Sequence, residues 1–233
     1  MSAGVVAVLG MHRSGTSWLA GSLQELGLEM GEVSTKDPHN QKGNRESPVL
    51  MEIHEGVLVD SGGSWKRPPA TVAWSAARRA ALAAHVADMN ARYPNGWGFK
   101  DPRALFVLDE WLRQVPGLAR AGIFRHPLAV WRSLAARNER FDQGRSVDLW
   151  CAYNARLVAE HKRAAFPILR FDVGADELFA GLSRVAKALG LPGADRTSRF
   201  FDAELVHNDE GAEPVPRVCR DLWLYLEAQV VRA

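Results

Sequence analysis

Apolar residues along this chain follow two patterns, short continuous runs and longer stretches with helical spacing. The run Val5–Leu9 is continuously apolar and rich in β-branched residues, which is typical of a strand buried on both faces of a parallel sheet. Over residues 15–28 the apolar positions recur every three or four residues, and Gly31 follows, so this stretch is predicted to be a helix. The chain is therefore expected to begin as strand, turn and helix.

The same two patterns alternate through the rest of the chain. Further strands are predicted at 97–100, 121–124 and 168–171. Further helices are predicted at 50–58, 74–92, 105–112, 128–136, 147–163, 178–189 and 221–231. Strands that alternate with helices form a parallel sheet covered on both faces. The sequence therefore predicts an α/β fold of three layers, with a central parallel β-sheet flanked by helices.

Two polar segments interrupt these elements, at residues 33–48 and 61–69. The first has 16 residues, with Pro, Gly and Asn among them, and loops of that length in a compact domain are usually functional or mobile. The second is also rich in residues that break regular structure. Both are interpreted as insertions that face a substrate, within one domain that spans residues 1–233.

Composition narrows the class of protein. With 233 residues, 47% of them hydrophobic, the chain suits a single domain with a real core. A formal net charge of +2 argues against a nucleic-acid binder that relies on neutralising phosphates. Arginine supplies 23 of the 29 basic residues, which reflects either codon usage or the gripping of anions, and composition does not decide between them.

The cysteines and the apolar runs bear on the compartment. Cys151 and Cys219 are too few for a disulfide framework, and neither has a partner at metal-ligand spacing. Every apolar run is far shorter than the roughly 20 residues that a membrane span needs. We expect a cytoplasmic protein with reduced thiols, no metal and no membrane span. The oligomeric state stays open.

The segment GMHRSGTSW, residues 10–18, joins the first strand to the first helix. A turn of this kind aims backbone N–H groups and the positive end of a helix dipole at one point, where anions bind. The spacing from Gly10 to Gly15 matches a P-loop, but Thr16 stands where that motif needs Lys. The basic residue is Arg13, three positions earlier, which argues against ordinary ATP or GTP hydrolysis.

Two motifs carry a family resemblance. RSGTSW, residues 13–18, resembles the 5′-phosphosulfate loop of sulfotransferases that use 3′-phosphoadenosine 5′-phosphosulfate (PAPS). In the 3′-phosphate site of that family, a strand-end Arg precedes Asn, Asp or His and then Pro, and a Ser lies eight residues after the Arg. Arg125, Pro127 and Ser133 fall in this register. The segment GFKDPR, residues 98–103, is similar to the bacterial branch of the family.

The resemblance implies a P-loop-NTPase-like sulfotransferase fold that moves a sulfuryl group from PAPS, leaving adenosine 3′,5′-bisphosphate (PAP). The implied acceptor is a hydroxyl, or less readily an amine, of a small molecule, carbohydrate or natural product. The residues that the motifs assign to nucleotide binding are Arg13, Ser14, Gly15, Thr16, Ser17, Trp18, Arg125 and Ser133. For Trp18, adenine stacking competes with packing beside Leu19 and Leu23, which share its helical face.

The catalytic assignments come from charge and from the same resemblance. Negative charge builds on the bridging oxygen of the leaving nucleotide, where preorganised donors help most. Arg13 is assigned this role, and Lys100, at the end of a neighbouring strand, is a second candidate.

The general base stays open among three residues. Family members use a Glu or a His after the first helix, often in a Gly-aromatic-aromatic-Glu string. The matching stretch here is GNRE, residues 43–46, which makes Glu46 the candidate although both aromatics are missing. His54 is the reserve, and Asp101 is a third possibility.

Two other classes compete with the sulfotransferase interpretation. An NTPase or small-molecule kinase is supported by LFVLD, residues 105–109, if this is a strand that ends in a magnesium-binding Asp109. Leu105, Leu108 and Leu112 have helical spacing, however, and Pro102 suits a helix start. The third class is a non-catalytic adenine-nucleotide-binding module.

Overall fold

Four parallel strands form the centre of the fold. The structure is a computed structural model and describes residues 4–36, 43–137, 141–200 and 213–231. The strands are β1 (Val5–Leu9), β2 (Trp97–Lys100), β3 (Ala119–Phe124) and β4 (Ile168–Arg170). Their order across the sheet is β2-β1-β3-β4, and every pairing is parallel. The parallel sheet is as predicted.

Helices make up most of the remaining described structure. They are α1 (Thr16–Glu25), α2 (Pro48–Asp60), α3 (Ala76–Arg92), α4 (Ala104–Gln114), α5 (Pro127–Ala135), α6 (Gln143–Arg163), α7 (Ala175–Ala188) and α8 (Arg220–Gln229). A short 3-10 turn, Arg217–Cys219, leads into α8. Within the described ranges, no helix is long and apolar enough to cross a membrane.

The sheet separates two hydrophobic cores. Side chains alternate across a strand, and β1 sends Val6 and Val8 into one core and Val5, Ala7 and Leu9 into the other. Apolar side chains of α1 and α7 fill the first core. Those of α2, α4, α6 and α8 fill the second. Burial on both faces explains why β1 is continuously apolar, and it confirms the three-layer α/β architecture.

The strand order places the loops that follow β1 and β3 side by side. β2 and β3 flank β1 on opposite sides, so the winding of the chain reverses direction at β1. Open α/β sheets bind ligands outside the carboxyl ends of the strands at such a reversal. Both motifs found in the sequence follow these strand ends, since one comes after β1 and the other after β3.

Two sequence interpretations are settled by packing. Residues 105–109 lie inside α4, and Asp109 accepts a hydrogen bond from Arg163 at 2.7 Å on the surface. These residues therefore do not form the strand that the kinase alternative required.

Trp18 is buried in the core, with its ring 6.0 Å from the Phe171 ring and 6.4 Å from that of Phe179. It packs against Phe171, which follows β4, and Phe179 of α7, which favours the packing alternative over adenine stacking.

Candidate active site

The turn after β1 has a backbone that only particular residues tolerate. Gly15 has φ +87°, and a Cβ there would lie 2.3 Å from the Phe171 ring. A Cβ on Gly10 would lie 2.3 Å from the Ile123 carbonyl oxygen of the neighbouring strand. Arg13 also adopts the left-handed region, with φ +66°, which is uncommon for a residue with a side chain and concentrates at functional sites.

Helix α1 begins directly after this turn, and few side chains of the helix offset the positive end of its dipole. Gly15 at its N-cap has no side chain to cap it, and the first turn contains no acidic residue. The positive end of the helix dipole therefore faces the turn without a side-chain anion of its own helix. Beside it, the hydroxyl oxygen of Ser14 is buried and has no hydrogen-bond partner among the described residues. An uncompensated helix end with an unsatisfied hydroxyl fits a bound anionic group.

The other hydroxyls of the turn differ in their surroundings. Thr16 is buried at the start of α1. Ser17 Oγ donates a hydrogen bond to the Asn44 carbonyl at 3.1 Å. This bond ties the turn after β1 to the 33–48 segment, of which residues 37–42 lie outside the described residues. The described ends of that segment pair with each other, because Ser34 N donates to the Glu46 carbonyl at 3.0 Å.

The second motif forms the turn between β3 and α5. Pro127 occupies the first turn of α5, as the sequence predicts, and the His126 side chain caps the helix by accepting from Leu128 N at 3.3 Å. Arg125 follows β3 directly and is buried, with its guanidinium 5.6 Å from the Phe171 ring centroid. Its carbonyl accepts a hydrogen bond from Trp150 Nε1 at 2.9 Å. Packing thus holds Arg125 at the strand end.

A hydrogen bond between side chains joins the two motifs. Arg13 Nε donates to Ser133 Oγ at 2.8 Å, although the residues are 120 positions apart in the chain. Arg13 comes from the turn after β1 and Ser133 from α5. The residues that the sequence assigned to the two ends of one nucleotide therefore lie next to each other.

A cleft of about 320 Å³ opens beside this bond. Its walls come from the turn after β1, the 33–48 and 61–69 segments, the end of β2 and the region around α5. The lining residues are His12, Arg13, Thr16, Ser17, Asn44, Glu46, Met51, Trp65, Lys66, Lys100, Pro102, Arg103, Leu134, Arg137 and Phe141. The cleft brings together Arg13, Glu46 and Lys100 from the predicted catalytic set.

The cleft wall at the end of β2 is a buried ionic network. Lys100 Nζ donates to Glu46 Oε1 at 2.5 Å, and Arg103 Nη1 lies 3.5 Å from Glu46 Oε2. Arg103 also bonds Asp101 Oδ1 at 2.9 Å and Glu55 Oε2 at 2.7 Å. Both oxygens of the Glu46 carboxylate are therefore engaged by cations.

His54 lies behind this network and not in the cleft. Trp111 Nε1, which can only donate, bonds His54 Nε2 at 2.9 Å. Nε2 is thereby an acceptor, so the ring proton is on Nδ1 and points to Asp101 Oδ2 at 3.0 Å. His54 is fully buried with both nitrogens occupied. This setting argues against His54 as the reserve base, because both ring nitrogens are already hydrogen-bonded.

Asp101 is likewise fully buried and satisfied from several sides. Burial alone would raise the pKa of its carboxyl, but the hydrogen bond from His54 and the nearby Arg103 outweigh burial and lower the pKa below its ordinary value. A carboxylate bound in this way is a poor proton acceptor. The structure therefore also argues against Asp101 as the base.

A two-residue hairpin tip from the 61–69 segment covers the cleft. Ser64 and Arg67 pair through reciprocal backbone hydrogen bonds of 3.1 Å, which puts Trp65 and Lys66 at the tip. The Trp65 ring stacks 5.9 Å from the Phe141 ring, and the Lys66 ammonium lies 5.3 Å from the Trp65 centroid. This tip supplies an aromatic wall and a cation beside the predicted anion site.

The turn also contains a residue that the sequence did not single out. His12 directly precedes Arg13 and lines the cleft, with its ring centroid 4.4 Å from that of Trp65 and 5.7 Å from that of Tyr153. Nothing in the local sequence separates His12 from the other turn residues. Its neighbours Trp65 and Tyr153 come from the 61–69 segment and α6, so only the fold reveals its setting.

Comparison with known proteins supports the fold. No protein-family model matches the chain, and no curated protein matches it. Among solved structures, the chain is similar to the sulfotransferase domain of the Synechococcus PCC 7002 olefin synthase. The TM-score is 0.58 at 14% sequence identity, and the match covers 97% of this chain and 94% of that one. The chain therefore has a sulfotransferase-like fold.

Among the described residues, no group of three or more His, Cys, Asp or Glu is arranged to hold a metal.

Proposed function

We propose that this protein is a PAPS-dependent sulfotransferase that transfers a sulfuryl group to a hydroxyl. The observation that carries the proposal is the 2.8 Å bond from Arg13 Nε to Ser133 Oγ, which unites two anion-binding motifs at one strand-end crevice. A nucleotide with anionic groups on both its 5′ and 3′ positions needs two such sites close together. The sulfotransferase-like fold supports the same conclusion.

The residues present fit such a nucleotide at both ends. At the 5′ end, the first turn of α1, the unsatisfied hydroxyl of Ser14 and the guanidinium of Arg13 supply donors. At the 3′ end, Arg125 and Ser133 supply a planar guanidinium and a hydroxyl, which suit a phosphate monoester. PAPS, when bound, supplies an activated sulfuryl group. These residues bind and orient it.

Two cations of the cleft stabilise developing negative charge. Arg13 stands at the anion-binding turn, and Lys100 lines the cleft from the end of β2. Fixed donors in a partly buried site stabilise such charge without reorganisation. Glu46 holds Lys100 through its Oε1, and Arg103 engages the other oxygen. We propose that Glu46 orients Lys100, in place of the role as base that its sequence position suggested.

The acceptor site is proposed to lie under the hairpin tip. Trp65 and Phe141 offer stacked aromatic surface, and Lys66 adds a cation. Aromatic rings pack against sugars, phenols and apolar surfaces alike, so the proposed acceptor class is a hydroxylated small molecule, carbohydrate or natural product.

Two measurements test this function. The first measures the thermal unfolding temperature with PAP in the absence of magnesium and, separately, with ATP and magnesium. We expect PAP to raise the unfolding temperature without magnesium. Transfer of ³⁵S from labelled PAPS to a panel of alcohols, sugars and phenols tests the reaction. Stabilisation only by ATP with magnesium overturns the proposal. PAP binding with neither transfer nor PAPS hydrolysis above the buffer rate makes the protein a nucleotide-binding module.

A further inference from the structure

His12 lines the cleft, and one of its buried ring nitrogens has no hydrogen-bond partner among the described residues. This nitrogen, Nε2, is shielded from solvent and neither donates a hydrogen bond to a described residue nor accepts one. Burying a polar atom without a partner costs free energy, so such an atom in a binding cleft points to a ligand group that completes it. By contrast, Glu46 has both carboxylate oxygens engaged, and His54 has both ring nitrogens engaged.

The ring is held in place from two sides. Trp65 packs on it at 4.4 Å with a 40° tilt, and Tyr153 of α6 meets it edge-on at 5.7 Å. Tyr153 in turn fixes the hairpin tip, because its hydroxyl donates to the Trp65 carbonyl at 3.0 Å. His12 therefore sits between the donor turn and the aromatic wall proposed for the acceptor.

The charges around His12 favour a neutral ring. Burial contributes most, and the cations Arg103, Lys100 and Arg13 add to it against the opposing Asp101, so the pKa of His12 lies well below its ordinary value. Two further titratable groups lie nearby: Tyr153 of α6, whose ring contacts His12 and whose hydroxyl pKa burial raises well above its ordinary value, and Lys66, which lines the same cleft. A neutral imidazole keeps a free lone pair at physiological pH, and its basicity rises when the anionic sulfuryl donor, once bound, offsets the neighbouring cations.

We propose that His12 Nε2 is the general base that takes the acceptor proton, an assignment that rests on the proposed sulfuryl transfer. As the acceptor O–H bond breaks, its proton goes to Nε2 and the oxygen forms its bond to sulfur. The bond from sulfur to the bridging phosphate oxygen breaks at the same time. The electron pair stays on that oxygen, where Arg13 offsets the charge. The products are the sulfate ester, PAP and a protonated His12.

Kinetics of His12→Asn and His12→Gln test the assignment, with His85→Asn as the matched control. His85 lies on α3 and does not line the cleft. With the panel acceptors that the wild type uses, 4-nitrophenol and phenol included, both His12 variants are expected to lose about 10²–10⁴-fold in kcat with PAP affinity kept within a few-fold. The loss should be larger for phenol than for the more acidic 4-nitrophenol, which needs a base less. The control should keep its turnover.

A second readout does not depend on turnover. In ¹⁵N-histidine NMR spectra, the signals that disappear in His12→Asn identify His12 among the seven histidines. Its Nε2 should be unprotonated at pH 7, and addition of phenol to the PAP complex should move that resonance in the direction of an accepted hydrogen bond. An NMR signal that shows a doubly protonated ring, or that ignores phenol, overturns the assignment.

The outcomes separate the two proposals. If the wild-type protein neither transfers ³⁵S to the panel nor hydrolyses PAPS, the proposed function fails and His12 has no reaction to serve. If the wild type transfers and His12→Asn keeps turnover within threefold, only the His12 assignment fails. Loss of turnover that is equal for phenol and 4-nitrophenol also overturns it, because a structural defect would not depend on acceptor acidity.

Discussion

At the residue scale, the cleft depends on a few side chains whose backbone is unusual. Arg13 occupies the left-handed region at φ +66° and still reaches α5 through its bond to Ser133. Such a conformation costs about 1–3 kcal/mol and persists because Gly10 and Gly15 on either side make the close contacts that the turn requires. The backbone of the turn thus fixes the direction in which the Arg13 guanidinium points.

Substitution of Arg13 tests its proposed catalytic role. Arg13→Ala is expected to lower kcat by about 10²–10³-fold, with a much smaller change in the dissociation constant of PAPS, because the charge it offsets is not yet developed in the bound donor. Arg132→Ala is the control, since Arg132 lies on the same α5 as Ser133 but pairs with Glu213 at the surface. Steady-state kinetics and calorimetric titration of PAPS without acceptor measure both. Equal losses in turnover and affinity would contradict the role.

At the scale of elements, the buried network holds α2, α4 and the end of β2 together. His54 belongs to α2, Trp111 to α4, and Asp101 directly follows β2. All three are fully buried. The network positions Lys100 and Glu46 at the cleft, so the fold and the proposed chemistry share these residues.

Asp101→Asn should therefore destabilise the protein in a pH-dependent way. Removing one charge of a buried, paired group costs about 3–5 kcal/mol. The folded pKa of Asp101 is depressed, so its contribution is present above the unfolded pKa of about 3.9 and is lost as the pH falls towards the folded value. Urea unfolding of wild type and variant at pH 7 and pH 3.5 measures the difference, which should shrink at the lower pH.

Asp60→Asn serves as the control for that experiment. Asp60 ends α2 and pairs with Arg78 at 3.2 Å on the surface, with 45% of its side chain exposed. Exposed pairs contribute about 0–1 kcal/mol. A cost for Asp101→Asn as small as that of Asp60→Asn would show that the network does not hold these elements.

The hairpin tip depends on α6 through one hydroxyl. Tyr153→Phe keeps the ring that packs 4.7 Å from Phe106 but removes the bond to the Trp65 carbonyl. The expected cost is about 0.5–1.5 kcal/mol of stability, with a several-fold rise in acceptor KM and no change in PAP affinity. Tyr225→Phe, which loses a similar 3.0 Å bond to His161 away from the cleft, should leave KM unchanged. A KM that moves equally in both variants would rule out this anchoring.

At the scale of the whole molecule, nucleotide binding should couple the two halves of the sheet. The two motifs follow β1 and β3, and the bond between Arg13 and Ser133 links their side chains. A ligand that bridges both motifs stabilises the folded state as a unit, because it binds the folded chain and not the unfolded one.

PAP at one hundred times its dissociation constant should add about 2.7 kcal/mol. For a protein of this size, that corresponds to a rise of roughly 5–10 °C in Tm. Arg125→Ala should abolish most of the rise at the same PAP concentration, whereas Arg132→Ala should keep it. Differential scanning fluorimetry with and without PAP checks this, and a full rise in Arg125→Ala would remove that residue from the proposed 3′ site.

The sequence by itself determined the order and type of most elements and the location of both candidate anion-binding motifs. The strands predicted at Val5–Leu9 and Trp97–Lys100 match β1 and β2 residue for residue. Pro127 begins α5 as predicted. Periodicity, proline placement and a strand-turn-helix motif are local properties, so neighbouring residues are enough to reveal them.

Only the tertiary structure decided which side chains share the cleft and which are withdrawn from it. Arg13 meets Ser133 across 120 positions, and His54 is enclosed by Trp111 and Asp101, 57 and 47 positions away. His12 gains its setting from Trp65 and Tyr153 in the same way. The burial, charge and free lone pairs of a side chain depend on residues packed against it from distant parts of the chain, and no local pattern records them.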